Sequence, residues 1–216
     1  MWNKYEVEMQ MAGYFAASLP RVREDIEKMP ENRMPVKPPD DFIPLNDLVD
    51  EVVEKVGATD EAEEEELKYG WATFPRDDNG LYYEGRCVRG HLKDCANQVK
   101  DAIKPEVRAL KAKVANKVYV MTDIIPLMAD GAQVQEIAGT VQRFVQVMTR
   151  QGPRSTIKYV DYLEKPVLTF QLNVLDDGII TDDILNFIYE YGSVHGMGQE
   201  RSQGWGRYTF TVRKLD

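Results

Sequence analysis

From Lys4 to Met11 the chain reads KYEVEMQM, and Tyr5, Val7, Met9 and Met11 alternate with Lys4, Glu6, Glu8 and Gln10. A period of two puts one set on each side of an extended backbone, which predicts a half-buried strand. Residues 20–44 then hold six prolines, Pro20, Pro30, Pro35, Pro38, Pro39 and Pro44. Each fixes φ and removes a backbone donor, so an extended loop or insertion is expected there. Helical spacing returns at Leu45, Leu48, Val49, Val52, Val53 and Val56, with Gly57 as a stop. The EAEEEELKYG run beyond it predicts a solvated helix or linker, the alternative being an acidic tail that mimics nucleic acid.

GWATFP, from Gly70, predicts a short strand, and Asn79-Gly80 is a hairpin-type turn. A helix follows from about Gly85. Its apolar positions are Val88, Leu92, Cys95, Val99 and Ile103, and Arg86, Arg89, Lys93, Asn97, Lys100 and Lys104 form a second face. At 100° per residue the two sets lie about 130° apart, so one seeks a core and the other carries charge. Pro105 breaks or restarts the helix, a second helical stretch runs to about Asn116, and KVYVMTDI predicts a strand. RFVQVMT and TIKYVDYL flank the polar RQGPRS, predicting a long hairpin with a basic tip. VLTFQLNV alternates most clearly of all. Thr181 caps the next helix, with Asp182 and Asp183 at its positive end and a stop near Tyr191 and Gly192. A glycine-rich run and a strand, RYTFTVRK, close the chain. The order predicts an α+β protein of one or two ferredoxin-like units.

Composition narrows this. The 216 residues, 43% apolar and 29% charged, suit an ordinary globular chain and exclude wholesale disorder. No segment approaches the roughly 20 apolar residues of a membrane span, and the first residues show no signal-peptide order. Cys87 and Cys95, eight positions apart in a helical pattern, would sit about 12 Å apart, too far for a bridge. Reduced thiols and a cytoplasmic location are expected. The net charge of −9 argues against nucleic acid until its distribution is considered. Residues 40–66 carry twelve acids and one base, a net of −11, which leaves +2 for the rest. Residues 86–117 carry nine bases against three acids, a net of +6.

The sharpest motif is GMGQERSQGWGR, Gly196 to Arg207. It follows a helix and opens a strand, the reverse of a Rossmann fingerprint, and no P-loop or zinc spacing occurs anywhere. No cofactor or metal is expected. Glycine-dense backbone can approach phosphates closely, with Gly196, Gly198, Gly204 and Gly206 giving access, Arg201, Ser202 and Arg207 donating, and Trp205 offering a stacking surface. The same glycines could equally serve a tight turn by supplying positive φ.

GMGQERSQGWGRYTF resembles the carboxy-terminal glycine loop and strand of the RAMP superfamily, CRISPR-associated RNA-binding proteins whose loop runs like GxGxxRSxGxGR. LYYEGRCVRGHLKDCA resembles a second family segment, "IPGSSLKGALR". Gly85, Val88, Gly90, Leu92 and Lys93 fit it, whereas Glu84 stands at the usual proline and Arg86 at the usual small residue. The resemblance implies a ferredoxin-like (RRM-like) RAMP fold over 1–216, with 20–70 as a Pro-rich and acidic insertion and 117–216 as a candidate second ferredoxin-like half. It further implies single-stranded RNA as ligand, with single-stranded DNA as the alternative, and protein partners or self-association in a larger ribonucleoprotein.

Motif and charge converge on one surface. The expected RNA-binding residues are Arg86, Arg89, Lys93 and Lys100 on the helix, Arg150 and Arg154 at the hairpin tip, and the glycine-loop residues above. A solvated helix face is the competing account of the basic stripe. Lys158 extends the tip or faces water, and Tyr82, Tyr83 and Tyr159 would stack on bases unless packed in a core. Only His91 and His195 titrate near neutrality unperturbed, and the sequence shows no partner acid for either, so a non-catalytic binder is expected. A metal-independent endoribonuclease using one of them is the alternative. So is a scaffold of this fold that no longer binds RNA. The loop aspartates Asp25, Asp40 and Asp41 are the candidates for metal-dependent cleavage.

Overall fold

The computed structural model describes residues 1–20, 70–104, 106–149 and 152–215. The proline-rich and acidic stretch with Asp25, Asp40 and Asp41, as well as Pro105 and Arg150, lies outside the described residues. The chain begins with β1 (Trp2–Met11), β2 (Tyr14–Ala16) and β3 (Leu19–Pro20). Then come β4 (Gly70–Thr73), β5 (Arg76–Asp77), β6 (Gly80–Glu84), α1 (Gly85–Val99) and α2 (Leu110–Lys117). Four short strands follow: β7 (Val118–Val120), β8 (Ile124–Pro126), β9 (Met128–Ala129) and β10 (Ala132–Gln133). The remainder is β11 (Gly139–Thr149), β12 (Gly152–Glu164), β13 (Val167–Leu175), α3 (Asp182–His195), a 3₁₀ turn (Arg201–Gln203) and β14 (Tyr208–Leu215).

Two compact units emerge. The first comprises 1–16, 80–136 and 163–216. Its sheet places β13 between β1 and β7, with β14 on the other side of β1, every pair antiparallel. With α1 before β7 and α3 before β14, this is the connectivity of a split βαβ, ferredoxin-like sandwich. β7, β9, β10, β13 and β14 share this sheet with β1, whereas β8 pairs with β6. The period-two reading of β1 holds: Tyr5, Val7 and Met9 are buried and stand opposite Leu172, Phe170 and Leu168 of β13, also buried. Val88, Leu92, Cys95 and Val99 of α1 and Leu185, Ile188 and Tyr189 of α3 complete that core. Full burial of each such side chain stabilises by about 1.5–3 kcal/mol. β6 pairs with β8 and buries Tyr82 and Tyr83, at 2% and 4% exposure, which places both rings in the core and away from any base.

The second unit comprises 17–79 and 137–162. The predicted hairpin is present, β11 pairing with β12 from Gly139↔Tyr162 to Thr149↔Gly152. β4 joins β12 in parallel and β3 pairs with β4. A buried carboxylate ties this unit together: Asp161 Oδ1 accepts from Trp71 Nε1 at 2.9 Å and from the Thr140 hydroxyl at 2.6 Å. Trp71 stacks on Tyr159, ring centroids 5.3 Å apart, and Arg154 sits in β12 opposite Val147. Among the described residues no helix is long and apolar enough to cross a membrane.

Candidate nucleic-acid interface

Thr181 starts α3 as its sequence suggests, Oγ1 accepting from the Ile184 N–H at 3.3 Å. The helix does not stop at Gly192. It runs three residues further, to His195, and Gly196 ends it with its N–H donating to the Gly192 carbonyl. Gly192 is a packing residue: a Cβ there would lie 2.3 Å from the Tyr208 hydroxyl oxygen and 2.8 Å from His91 Nε2. The sequence marks the glycine but not the side chains from α1 and β14 that need the space.

His91 and Tyr208 share a buried hydrogen bond of 2.9 Å, with the Cys95 sulfur 3.6 Å from the same ring nitrogen. Burial, with the nearby His195 and Arg201 charges adding to it, pushes the His91 imidazolium down to about 4. The ring is neutral at pH 7 and offers a phosphate no cation. Burial also pushes the Cys95 thiol up to about 12, so it is no nucleophile at neutral pH. Both cysteines are free thiols.

After Gly196 the chain folds tightly on itself. The Met197 N–H donates to the Gly206 carbonyl at 2.9 Å, and the Gly206 N–H donates to the Tyr14 carbonyl at 2.8 Å. Gln199 bridges to Ala16, and the Ala12 N–H donates to the Arg207 carbonyl. Gly206 has a φ of +71° and lies so close that a Cβ would fall 1.8 Å from the Met197 carbonyl oxygen. Gly196 and Gly198 likewise face backbone, that of Trp205 and of Ala16. Three of the four glycines thus close the loop on its own chain and on the β1–β2 segment, which is the tight-turn reading of the motif.

What this turn presents outward is the 3₁₀ segment. Arg201, Ser202, Gln203 and Arg207 are exposed, and the Arg207 guanidinium lies over Gly204. Trp205 is half-buried against Tyr14, centroids 5.0 Å apart. Beneath Arg201 lies Asp94 of α1. Arg201 Nη1 donates to Asp94 Oδ2 at 3.0 Å, His195 Nε2 is 3.2 Å from that oxygen, and Arg201 Nη1 is 2.7 Å from His195 Nε2. Burial alone would raise the Asp94 pKa, but the bonds from Arg201 and His195 outweigh it and hold the carboxyl below its usual range. Tyr191 stacks on the His195 ring at 5.2 Å. Asp94 does not stand out in the sequence, because it meets His195 only when α1 packs on α3; Tyr191 stands four positions before His195 on α3, a local spacing that sequence reasoning passed over.

The basic helix face is not uniform. Arg86 is exposed but bound to Glu84, its Nε donating to Oε2 at 2.7 Å. Arg89 turns aside: Nη2 donates to the Ala115 carbonyl at 2.5 Å and its guanidinium lies 5.0 Å from the centre of the Tyr119 ring. It fastens α1 to the α2–β7 connection. Lys93 is half-buried, and Lys100 and Lys104 are exposed but lie beyond the end of α1 at Val99, not on its face as their spacing predicts. Tyr119 meets Trp2 edge-on at 5.5 Å, and both rings are substantially exposed, an aromatic pair that sequence reasoning missed because they come from strands far apart in the chain. Among the described residues no three His, Cys, Asp or Glu side chains are grouped to hold a metal ion.

No protein-family model matches the sequence, and no curated protein matches it. Among solved structures the chain is similar to a chain of the Type III-B Cmr-beta bound to cognate target RNA, at 12% identity and a TM-score of 0.44. That match covers 99% of this chain and 61% of the other, so the protein spans about three-fifths of that neighbour's length. It is also similar to a chain of a Type IV-B CRISPR complex, at 11% identity and a TM-score of 0.45, covering 97% of this chain and 90% of that one.

Proposed function

We propose that this protein is a RAMP-like subunit of a CRISPR-type ribonucleoprotein and binds the phosphate backbone of single-stranded RNA at the glycine loop. The observation that carries the reading is the exposed Arg201–Arg207 turn. A rigid, self-closed loop holds two guanidinium groups and Ser202 outward, beside α1, whose Lys93 adds positive charge, with Lys100 and Lys104 in the turns that follow the helix. Such donors engage phosphate and carry little base information, so binding is sequence-tolerant and strongly salt-dependent. The motif resemblance at 196–210 supports the same ligand. Residues 20–70 are an insertion in this reading, and neighbouring subunits are the partners.

The test is a fluorescence titration of single-stranded RNA against salt. Arg201→Ala and Arg207→Ala should each weaken binding and reduce the salt slope by about 0.7, the value for one phosphate contact on a single strand. No binding at low salt would refute the reading. A second reading, metal-independent cleavage, gains support from one observation: His195 has an acidic neighbour, Asp94, 3.2 Å away. Electrophoresis of the same RNA after incubation in EDTA decides it. An intact strand is expected; cleavage lost in His195→Ala but kept in Arg207→Ala would favour the endoribonuclease.

A further inference from the structure

We propose that Asp94 occupies the phosphate seat of Arg201 in the unbound protein, and that an RNA phosphate binds there by displacing the carboxylate. The inference rests on the RNA-binding reading and gives that site an internal competitor.

Asp94 is the one acidic residue of α1, on a helix that otherwise carries Arg86, Arg89 and Lys93. It faces the loop arginine, with Arg201 Nη1 and His195 Nε2 both within 3.2 Å of its Oδ2. Guanidinium groups recognise carboxylates and phosphates through the same parallel N–H donors, so one oxygen-bearing anion can replace the other without moving the loop. The seat is also imperfectly filled. His195 Nε2 lies 2.7 Å from Arg201 Nη1 and 3.2 Å from Asp94, and one ring nitrogen cannot accept from the first while donating to the second. A phosphodiester brings further acceptor oxygens to this cluster. Exchange is cheap as well: the Asp94 and Arg201 side chains are each 39% exposed, and an ion pair that open to water contributes about 0–1 kcal/mol. Tyr191, stacked on His195, keeps the ring in place while the anion changes.

The experiment compares the full chain with Asp94→Asn, which keeps size, exchanges one acceptor oxygen for an NH2 donor and loses the charge. Single-stranded RNA should bind Asp94→Asn about 3- to 10-fold tighter at low salt, with the salt slope unchanged because Arg201 contacts one phosphate in both proteins. Asp94→Glu should return the affinity to the wild-type value. In an Arg201→Ala background the gain should vanish, since it acts through that arginine. Unchanged or weaker binding by Asp94→Asn, or a gain that survives Arg201→Ala, overturns the proposal while leaving RNA binding intact. Inorganic phosphate, followed by the NMR signal of the Arg201 Nε–H, separates the two ideas. If no variant binds RNA yet phosphate shifts that signal at lower concentration in Asp94→Asn, the seat stands and the RNA reading falls. If phosphate shifts it equally in both proteins, the seat falls.

Discussion

His91 shows how one buried side chain sets the acid response of this fold. In the unfolded chain its imidazole takes up a proton near pH 6.5, whereas burial among Tyr208, Cys95 and α3 holds the folded value at about 4. The unfolded state therefore binds more protons between these limits. Stability present above about pH 6.5 is lost as pH falls toward 4, by about 3 kcal/mol in all. Urea unfolding between pH 4 and 7 should show this slope in the wild type and lose it in His91→Gln, whose amide can still meet the Tyr208 hydroxyl. His195 has the same chemistry in a different place. Its ring lies at the surface beside Asp94 and Arg201, so one histidine serves packing and the other the candidate interface. Sequence position alone gave no way to divide these roles.

At the scale of elements, the glycine loop works because its backbone is pinned from two sides, by its own strand-like closure and by the β1–β2 segment. Gly206 is where closure is tightest. Replacement by alanine forces a side chain into the left-handed region at φ +71° and into the Met197 carbonyl, and should cost more than about 2 kcal/mol. Gly90, inside α1, offers the contrast, since a Cβ there meets nothing within 4 Å. Gly90→Ala should stabilise by about 0.5–1 kcal/mol through helix propensity. Denaturant midpoints of the two variants check both signs. That two glycines in resembling motifs carry opposite expectations follows from neighbours, not from composition. The β11–β12 hairpin was legible as alternation around a polar turn, but its anchor, Asp161 between Trp71 and Thr140, joins residues up to 90 positions apart and left no local trace.

For the whole molecule, charge is divided along the sequence, with −11 in residues 40–66 and +2 in the rest. On the proposed RNA-binding reading, an acidic stretch of that size slows the approach of a polyanion wherever its field reaches the binding surface. Neutralising Glu63, Glu64, Glu65 and Glu66 to glutamine brings the net charge of −9 to −5. Stopped-flow association with single-stranded RNA should then be several-fold faster at low ionic strength, and the difference should fade near 0.15 M salt, where the screening length is about 8 Å. Equal rates at low salt would mean that the acidic stretch exerts no influence at the binding surface.

The alternation in β1 and β13, the three-and-four spacing of α1, the Thr181 cap and the turn at 196–207 are local, and each could be read because secondary structure is dictated by residues a few positions apart. The order of those elements was enough to suggest the ferredoxin-like connectivity of the first unit. Tertiary packing alone decided the rest. It filled the space at Gly192 with Tyr208 and His91, turned Arg89 onto Ala115 and Tyr119, and set Asp94 against Arg201, 107 positions away. A helix face records which residues point outward, but the partner each charge meets depends on which element packs beside it. That partner determines whether an arginine is a structural tie or a donor available to phosphate.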